Sequence, residues 1–274
     1  MPKSKRNHSS FGKKTRKSKQ KQIVQKRSGM KKASTADVSK VKSLREKVAD
    51  IYDSVDLSTT CSGHCVCCQV ACPQLSFSEF LVIIDEIFQK EDRSIRATTL
   101  KASIKYFFSN SMIKPCPLLD EKRCSIYDVR PLNCRMYGQW PEDVYEERVM
   151  GFVKSTGLKR EEVPLNTQCK YVRRIDDAPL TKEIIDDLYT KLDNLDRVVG
   201  KFTTGQIGKQ HNKRAFHDWY MVTVFGEDRL AALSGFFVAA TEEAVEDLAD
   251  QMVKQLDEIG ASLFGDDFLK DLGI

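Results

Sequence analysis

The sequence predicts a mainly α-helical protein in which irregular cysteine-rich loops are set into a helical body, with at most short hairpin content. Three observations lead there. Apolar residues recur at helical spacing in segment after segment. Strands and helices do not alternate regularly and no internal repeat is visible, which argues against a parallel-sheet fold. Eight of the nine cysteines fall between positions 61 and 134, in stretches too rich in turn-forming and polar residues to make regular elements.

Residues 1–40 are Lys, Arg, Ser and Gln with almost no apolar side chains, so they cannot bury enough surface to offset chain entropy, and a disordered basic arm is expected. Val41, Leu44, Val48 and Ile51 then predict a first helix ending near Tyr52. A loop from Leu57 to Leu75 follows. Ser76 and Glu79 form the pattern of a capping box ahead of Phe80, Ile83, Ile84, Ile87 and Phe88, an amphipathic stripe. A further helix is expected from about Arg93 to Phe108. Pro115 and Pro117 around Cys116, with turn residues at Asp120 to Arg123, read as an irregular or hairpin segment. Pro131 fits the first turn of another helix.

Downstream, helices are expected over Glu142–Lys154, Thr181–Leu195, Phe216–Phe225 and Glu227–Ala239. The clearest is Thr241–Leu263, with Val245, Leu248, Met252, Leu256 and Ile259 on one face and acids on the other. Residues 200–208 read as a loop. The organisation expected is a basic arm (1–40), a cysteine-cluster metal-binding domain (41–175) and a helical C-terminal region (176–274) ending in the acidic amphipathic helix.

The net charge of +5 conceals an asymmetry. Residues 1–40 hold fourteen Lys or Arg against the single acid Asp37, and residues 241–274 hold ten acids against Lys254 and Lys270. A solvated tail accounts for the basic arm, whereas attachment to RNA, a ribosome or DNA would use the same charges by releasing counterions from phosphate. The longest apolar stretch, Leu230 to Ala240, falls well short of the roughly 20 residues a membrane span needs, so no membrane association is expected. No apolar run follows the basic N-terminus, which predicts neither a secretory nor a lipoprotein signal and a cytoplasmic location. There thiols stay reduced, and clustered cysteines serve as ligands more often than as bridges.

Two cysteine clusters carry the chemistry. The first is Cys61-Ser62-Gly63-His64-Cys65-Val66-Cys67-Cys68. The second runs from Pro115 to Arg135 and holds Cys116, Cys124 and Cys134. Soft sulfur donors gathered from two loops are what zinc or an iron–sulfur cluster requires. Of the adjacent pair Cys67 and Cys68, one is expected to reach a given metal. Arg123, Arg130 and Arg135 are expected to lower the pKa of Cys124 and Cys134, and the dipole of a helix opened by Pro131 adds to this at Cys134. Asp128 is expected to pair with Arg130, and Tyr127 and Tyr137 to pack as an apolar shell. His64 reads as a loop histidine. His211 and His217, near Asp218, read as polar residues on a helix face in preference to a catalytic pair.

The pattern P-C-P-L-L-D-x3-C-S-I-Y-D-x-R-P-x2-C-R-x-Y over Pro115 to Tyr137, preceded by a cluster containing Cys67-Cys68, resembles the YkgJ-like cysteine-cluster family, described as zinc- or iron-chelating. The resemblance covers roughly residues 57–140 and is closest in its second half. The first half departs from the family's C-x2-C-x2-C-C, which leaves Cys65 and Cys67 both as candidates. The resemblance implies metal or cluster binding. Candidate ligands are Cys61, Cys65, Cys67, Cys68, Cys116, Cys124, Cys134 and Cys169, with Cys72 undecided. So many thiols exceed one zinc site, which favours an iron–sulfur cluster over zinc.

The expected role is a structural or electron-transfer centre, with a protein redox partner in the second case. A cluster-dependent group-transfer enzyme is the alternative, a protein lysine methylase being the nearest family analogy. A zinc-stabilised module binding nucleic acid or protein through residues 1–40 is another. The C-x3-C-x2-C spacing of Cys61, Cys65 and Cys68 is shared with radical S-adenosylmethionine enzymes, but the strand and partial barrel they need are not visible. Phosphate-binding loops, nucleophile elbows and H-E-x-x-H helices are absent from the sequence.

Overall fold

A computed structural model describes residues 43–57, 59, 67–69, 72–89, 93–108, 115–121, 123–162, 180–200, 213–228, 230–231 and 241–263. The chain divides into two units, Met1–Val41 and Lys42–Ile274, and every described residue belongs to the second. The expected basic arm, the loop at 201–208 and most of the expected helix over Glu227–Ala239 lie outside the described residues.

Helix α1 (Leu44–Asp53) begins where the sequence supplies a capping box, since Glu46 N–H donates to Ser43 Oγ (3.2 Å) and Ser43 N–H to Glu46 Oε2 (2.6 Å). Leu44, Val48 and Tyr52 recur every four residues and are buried together. The strand β1 (Gln74–Leu75) precedes α2 (Phe77–Gln89), which opens on the expected Ser76–Glu79 box: Glu79 N–H donates to Ser76 Oγ (3.2 Å) and Ser76 N–H to Glu79 Oε2 (2.7 Å). The sequence predicts a one-sided apolar stripe here, but α2 is buried around most of its circumference, from Phe77 through Asp85 and at Ile87 and Phe88. Its polar residues are covered because they are used. Asp85 accepts from Arg45 (3.1 Å), and Glu79 is bonded as described below.

Four helices surround α2: α1, α3 (Arg93–Phe108), α6 (Lys182–Val199) and α7 (Phe216–Phe225). Between α3 and α6 the chain forms the hairpin β2 (Leu119–Asp120) and β3 (Arg123–Cys124), the short helix α4 (Leu132–Arg135) and α5 (Glu142–Thr156). Strand β4 (Arg214–Ala215) pairs antiparallel with β1, placing Gln74 opposite Ala215, and carries the chain into α7. Trp219 of α7 donates its indole N–H to Leu75 O (3.0 Å), and its ring lies 5.0 Å from that of Phe77. Phe80, Phe216 and Tyr220 complete an aromatic column in the core.

The C-terminal helix α8 (Glu242–Leu263) packs along α3 and against α7. Val245 and Ala249 are buried, while Leu248, Met252 and Val253 pack against the core. The side chains of Leu256 and Ile259 lie outside the described ones. Part of this helix's negative charge is met by α3, through Lys101 to Glu246 (2.7 Å) and Asp250 (2.5 Å), Lys105 to Glu246, and Arg96 to Asp257 (2.5 Å).

Asp196 near the end of α6 closes the N-terminus of α2. Its carboxylate accepts from Phe77 N–H (2.9 Å), Ser78 N–H (2.7 Å) and the Ser78 hydroxyl. Burial nevertheless holds this carboxyl above the usual aspartate range. Asp196→Ala removes three acceptor contacts at once and is expected to lower stability by about 2 kcal/mol in denaturant unfolding, with Asp196→Asn costing less because one acceptor oxygen remains.

Candidate metal centre

Three separate pieces of chain bring the cysteines together. Cys67 and Cys68 sit on a single 3-10 turn, Cys67–Gln69, at the end of the first cysteine loop. Cys116 and Cys124 bracket the β2–β3 hairpin, in which Leu119 pairs with Cys124 and Glu121 takes the left-handed backbone (φ 48°) that the tight reversal requires. Cys134 lies in α4, whose N-cap is Pro131, as the sequence predicts. Backbone bonds lock the pieces to one another: Cys116 N–H donates to Cys68 O (2.6 Å), Leu119 N–H to Cys116 O (3.0 Å) and Ser125 N–H to Leu118 O (2.9 Å). Leu118, Ile126, Leu132 and Met136 pack beneath the cluster.

The six described cysteines, Cys67, Cys68, Cys72, Cys116, Cys124 and Cys134, are all free thiols. Cys67 Sγ and Cys68 Sγ are 3.9 Å apart. Two sulfurs on one tetrahedral zinc with 2.3 Å bonds would be separated by about 3.8 Å. The two sulfurs thus stand at a separation that one metal could span. The titration of Cys68 also responds to Cys124, and that of Cys116 to Cys72. Cys72 thus joins the group through Cys116, and its own N–H donates to Tyr106 Oη (3.0 Å). Among the described residues no three His, Cys, Asp or Glu side chains stand close enough around one point to hold a metal ion. The thiols form contacting pairs instead. Cys61, Cys65 and Cys169, together with His64 and His211, lie outside the described residues.

Proton sharing splits the thiols into two kinds. Cys67 and Cys124 are each lowered to about 7, chiefly through their interaction with the Cys68 thiol, with Arg130 a lesser contributor. Cys68, hydrogen-bonded to both Cys124 and Cys67, is raised in turn. Cys116 is raised by its bond to Cys72 and by burial, and Cys134 by burial first and then by the charge of neighbouring thiols. The sequence expects arginines and a helix dipole to lower Cys134, but removal from water outweighs both.

Arg130 and Arg135 serve the site differently from expectation. In place of an Asp128–Arg130 ion pair, the Arg130 guanidinium lies on the Tyr127 ring, 4.1 Å from its centre. Arg135 lies over the Tyr52 ring (4.5 Å) and donates to the carbonyls of Arg130 (3.0 Å) and Asp128 (2.8 Å). It braces the loop before α4. His217 also departs from its helix-face reading. Only 7% exposed, it stacks on Tyr106 (4.2 Å) and sits 3.3 Å from Asp218.

Glu79 is the residue whose part in the site the sequence does not reveal. It is 3% exposed. Besides its capping bond to Ser76, it accepts from Tyr52 Oη–H (2.7 Å) and Leu132 N–H (2.6 Å), both through Oε1. Leu132 is the first residue of α4 and Cys134 the third, so one carboxylate ties the helix bearing Cys134 to α1 and α2. The Ser76–Glu79 spacing signals a helix start, but nothing in it reveals the partners at 52 and 132. Asn133 adds a second tie, donating to Gln74 O and accepting from the Tyr189 hydroxyl.

The donor set suits a thiophilic metal. It offers soft sulfurs from three segments, two of which ionise near neutrality. Beside them is the buried Arg130 Nε, which has no hydrogen-bond partner among the described residues and faces thiols whose negative charge it would offset. Fold and site together define a helical body that carries six free thiols, five of them half-buried and Cys116 buried. Residues 58–170 match the family model CxxCxxCC, described as a putative zinc- or iron-chelating domain, so that segment of the chain is similar to this cysteine-cluster family. No curated protein and no solved structure matches the chain. No helix among the described residues is long and apolar enough to cross a membrane.

Removing the Glu79 carboxylate leaves a buried hydroxyl and two backbone N–H groups unpaired. Glu79→Ala is expected to cost about 3–5 kcal/mol and to loosen α4, whereas Tyr52→Phe, which deletes one donor, is expected to cost about 1–2 kcal/mol. Denaturant unfolding of the two variants measures both values.

Proposed function

We propose that the chain is a metal–thiolate protein whose centre is an iron–sulfur cluster with a structural or electron-transfer role. The observation that carries this reading is the approach of five free thiols from the 67–69 turn, the hairpin and α4, within a segment that matches a zinc- or iron-chelating family. Cys67, Cys68, Cys116, Cys124 and Cys134 are the ligands proposed from the described residues, and Cys61, Cys65 and Cys169 are proposed from outside them. The number of thiols supports iron–sulfur over zinc, since a single tetrahedral zinc takes four. When bound, such a cluster supplies one-electron chemistry.

The protein's contribution is to hold and shield the donors. Cys67 and Cys124, lowered by their interaction with Cys68, are the first to present thiolates and would hold a metal, with Cys68 losing its proton on ligation. The Arg130 guanidinium, positioned on Tyr127, offsets the negative charge of a thiolate-bound group. Leu118, Ile126, Leu132 and Met136 close off one side from water.

Metal and acid-labile sulfide analysis of protein purified without oxygen, set beside Cys68→Ser and Cys124→Ser, tests the assignment. Brown protein with matched iron and sulfide, bleached in both variants, is the expected result. Colourless protein with stoichiometric zinc would replace the cluster with a structural zinc, and metal content unchanged by either variant would remove these thiols from the centre. Uptake should also depend on pH. Below about 7 Cys67 and Cys124 regain their protons, so apparent metal affinity is expected to fall as pH drops from 8 to 6, with proton release visible in weakly buffered titrations.

A further inference from the structure

Among the described residues, Arg45, Arg96, Lys101, Arg160, Lys182 and Arg214 each meet a carboxylate. Arg148 and Lys213, like Arg130 and Arg135 near the cysteines, lie on aromatic rings instead. Arg148, exposed on α5, places its guanidinium 4.0 Å from the centre of the Trp140 ring and 5.1 Å from that of Tyr189. Lys213, just before β4, places its ammonium 3.3 Å from the centre of the same Tyr189 ring. Neither forms an ion pair among the described residues. The sequence explains this for Arg148, because positions three and four residues away on its helix are Val144, Tyr145, Gly151 and Phe152, and none of them carries a charge.

We propose that Arg148 and Lys213 form an oxyanion site that takes a phosphate group, a function separate from metal binding. A guanidinium stacked on an aromatic ring keeps its N–H groups in one plane and directed outward, the arrangement that receives a phosphate oxygen pair. The ring that both cations approach is itself fixed, since buried Tyr189 donates its hydroxyl to Asn133 Oδ1 and accepts from Arg148 (3.5 Å). Both cations are therefore positioned before a ligand arrives, which lowers the ordering cost of binding.

Their charges act on each other. Burial and the like charge of Arg148 hold the Lys213 ammonium below the usual lysine range, and a bound anion relieves that repulsion. The Trp140 indole N–H, buried and without an acceptor among the described residues, is a further unsatisfied donor in the cluster. The acids nearby do not occupy the site. Asp186 and Glu147 are engaged by Lys182 (3.4 and 3.5 Å), and Asp193 acts on Lys213 only through its field.

Free phosphate and the phosphodiester of a nucleic acid share this chemistry. Calorimetric titration of the full chain with sodium phosphate, and separately with a short single-stranded oligothymidylate at matched ionic strength, separates them. Wild type is compared with Arg148→Gln, Lys213→Gln and the control Lys101→Gln. Saturable phosphate binding is expected, weakened about tenfold or more in the first two variants and unchanged in the third. Oligonucleotide binding that falls in the same two variants extends the site to phosphodiesters. Oligonucleotide binding indifferent to them, while phosphate binding falls, assigns the site to free phosphate or a monoester. Phosphate binding that does not saturate, or is equal in all four proteins, overturns the proposal, and Arg148 alone decides it if Lys213→Gln does not fold.

Discussion

The arrangement of the cysteine centre depends on one buried carboxylate. Glu79 leaves the first turn of α2 and ends between Tyr52 of α1 and Leu132 of α4, accepting from both as well as from its own N-cap residue. A carboxylate so far from water is tolerable only when its oxygens are met by donors. Here three donors come from three different elements, so the requirement to satisfy Glu79 is also a requirement that α4 dock at one place. A helix of four residues has almost no stability of its own. Glu79, the Asn133 contacts with Gln74 and Tyr189, and Arg135 braced on Tyr52 hold it in place, and Cys134 is fixed with it.

The other thiols are placed by backbone geometry. The bond from Cys116 N–H to Cys68 O joins the first cysteine loop to the hairpin, and the reversal at Glu121 returns Cys124 to the same side. Burial makes the free thiols costly to ionise, while shared protons make two of them easy, so the cluster is poised to exchange protons for a soft cation. A cluster packed purely as apolar filler would have no use for the buried Arg130 Nε at its edge.

Much of the fold was legible because its determinants are local. Capping at Ser76–Glu79, apolar spacing in α1 and α8, and the proline ahead of α4 are each contained within a few residues, and each element appears where those signals lie. The burial of α2 around most of its circumference was not legible, because it depends on α1, α3, α6 and α7 all converging on it. The same limit applies within the site. Cysteine spacing brought the right segments to attention, but the raised Cys134 and the bond from Leu132 to Glu79 are products of long-range packing. The Cys67–Cys68 contact depends on the 3-10 turn that carries both residues, which spacing alone does not reveal.

The central claim is that thiolates from the 67–69 turn, the hairpin and α4 bind one metal centre. X-ray absorption spectroscopy of the metal-loaded protein tests it most directly. The account predicts a nearest shell dominated by sulfur at about 2.3 Å, losing sulfur when Cys134 is replaced by serine. A shell of nitrogen and oxygen alone, or one unchanged by that substitution, would contradict it.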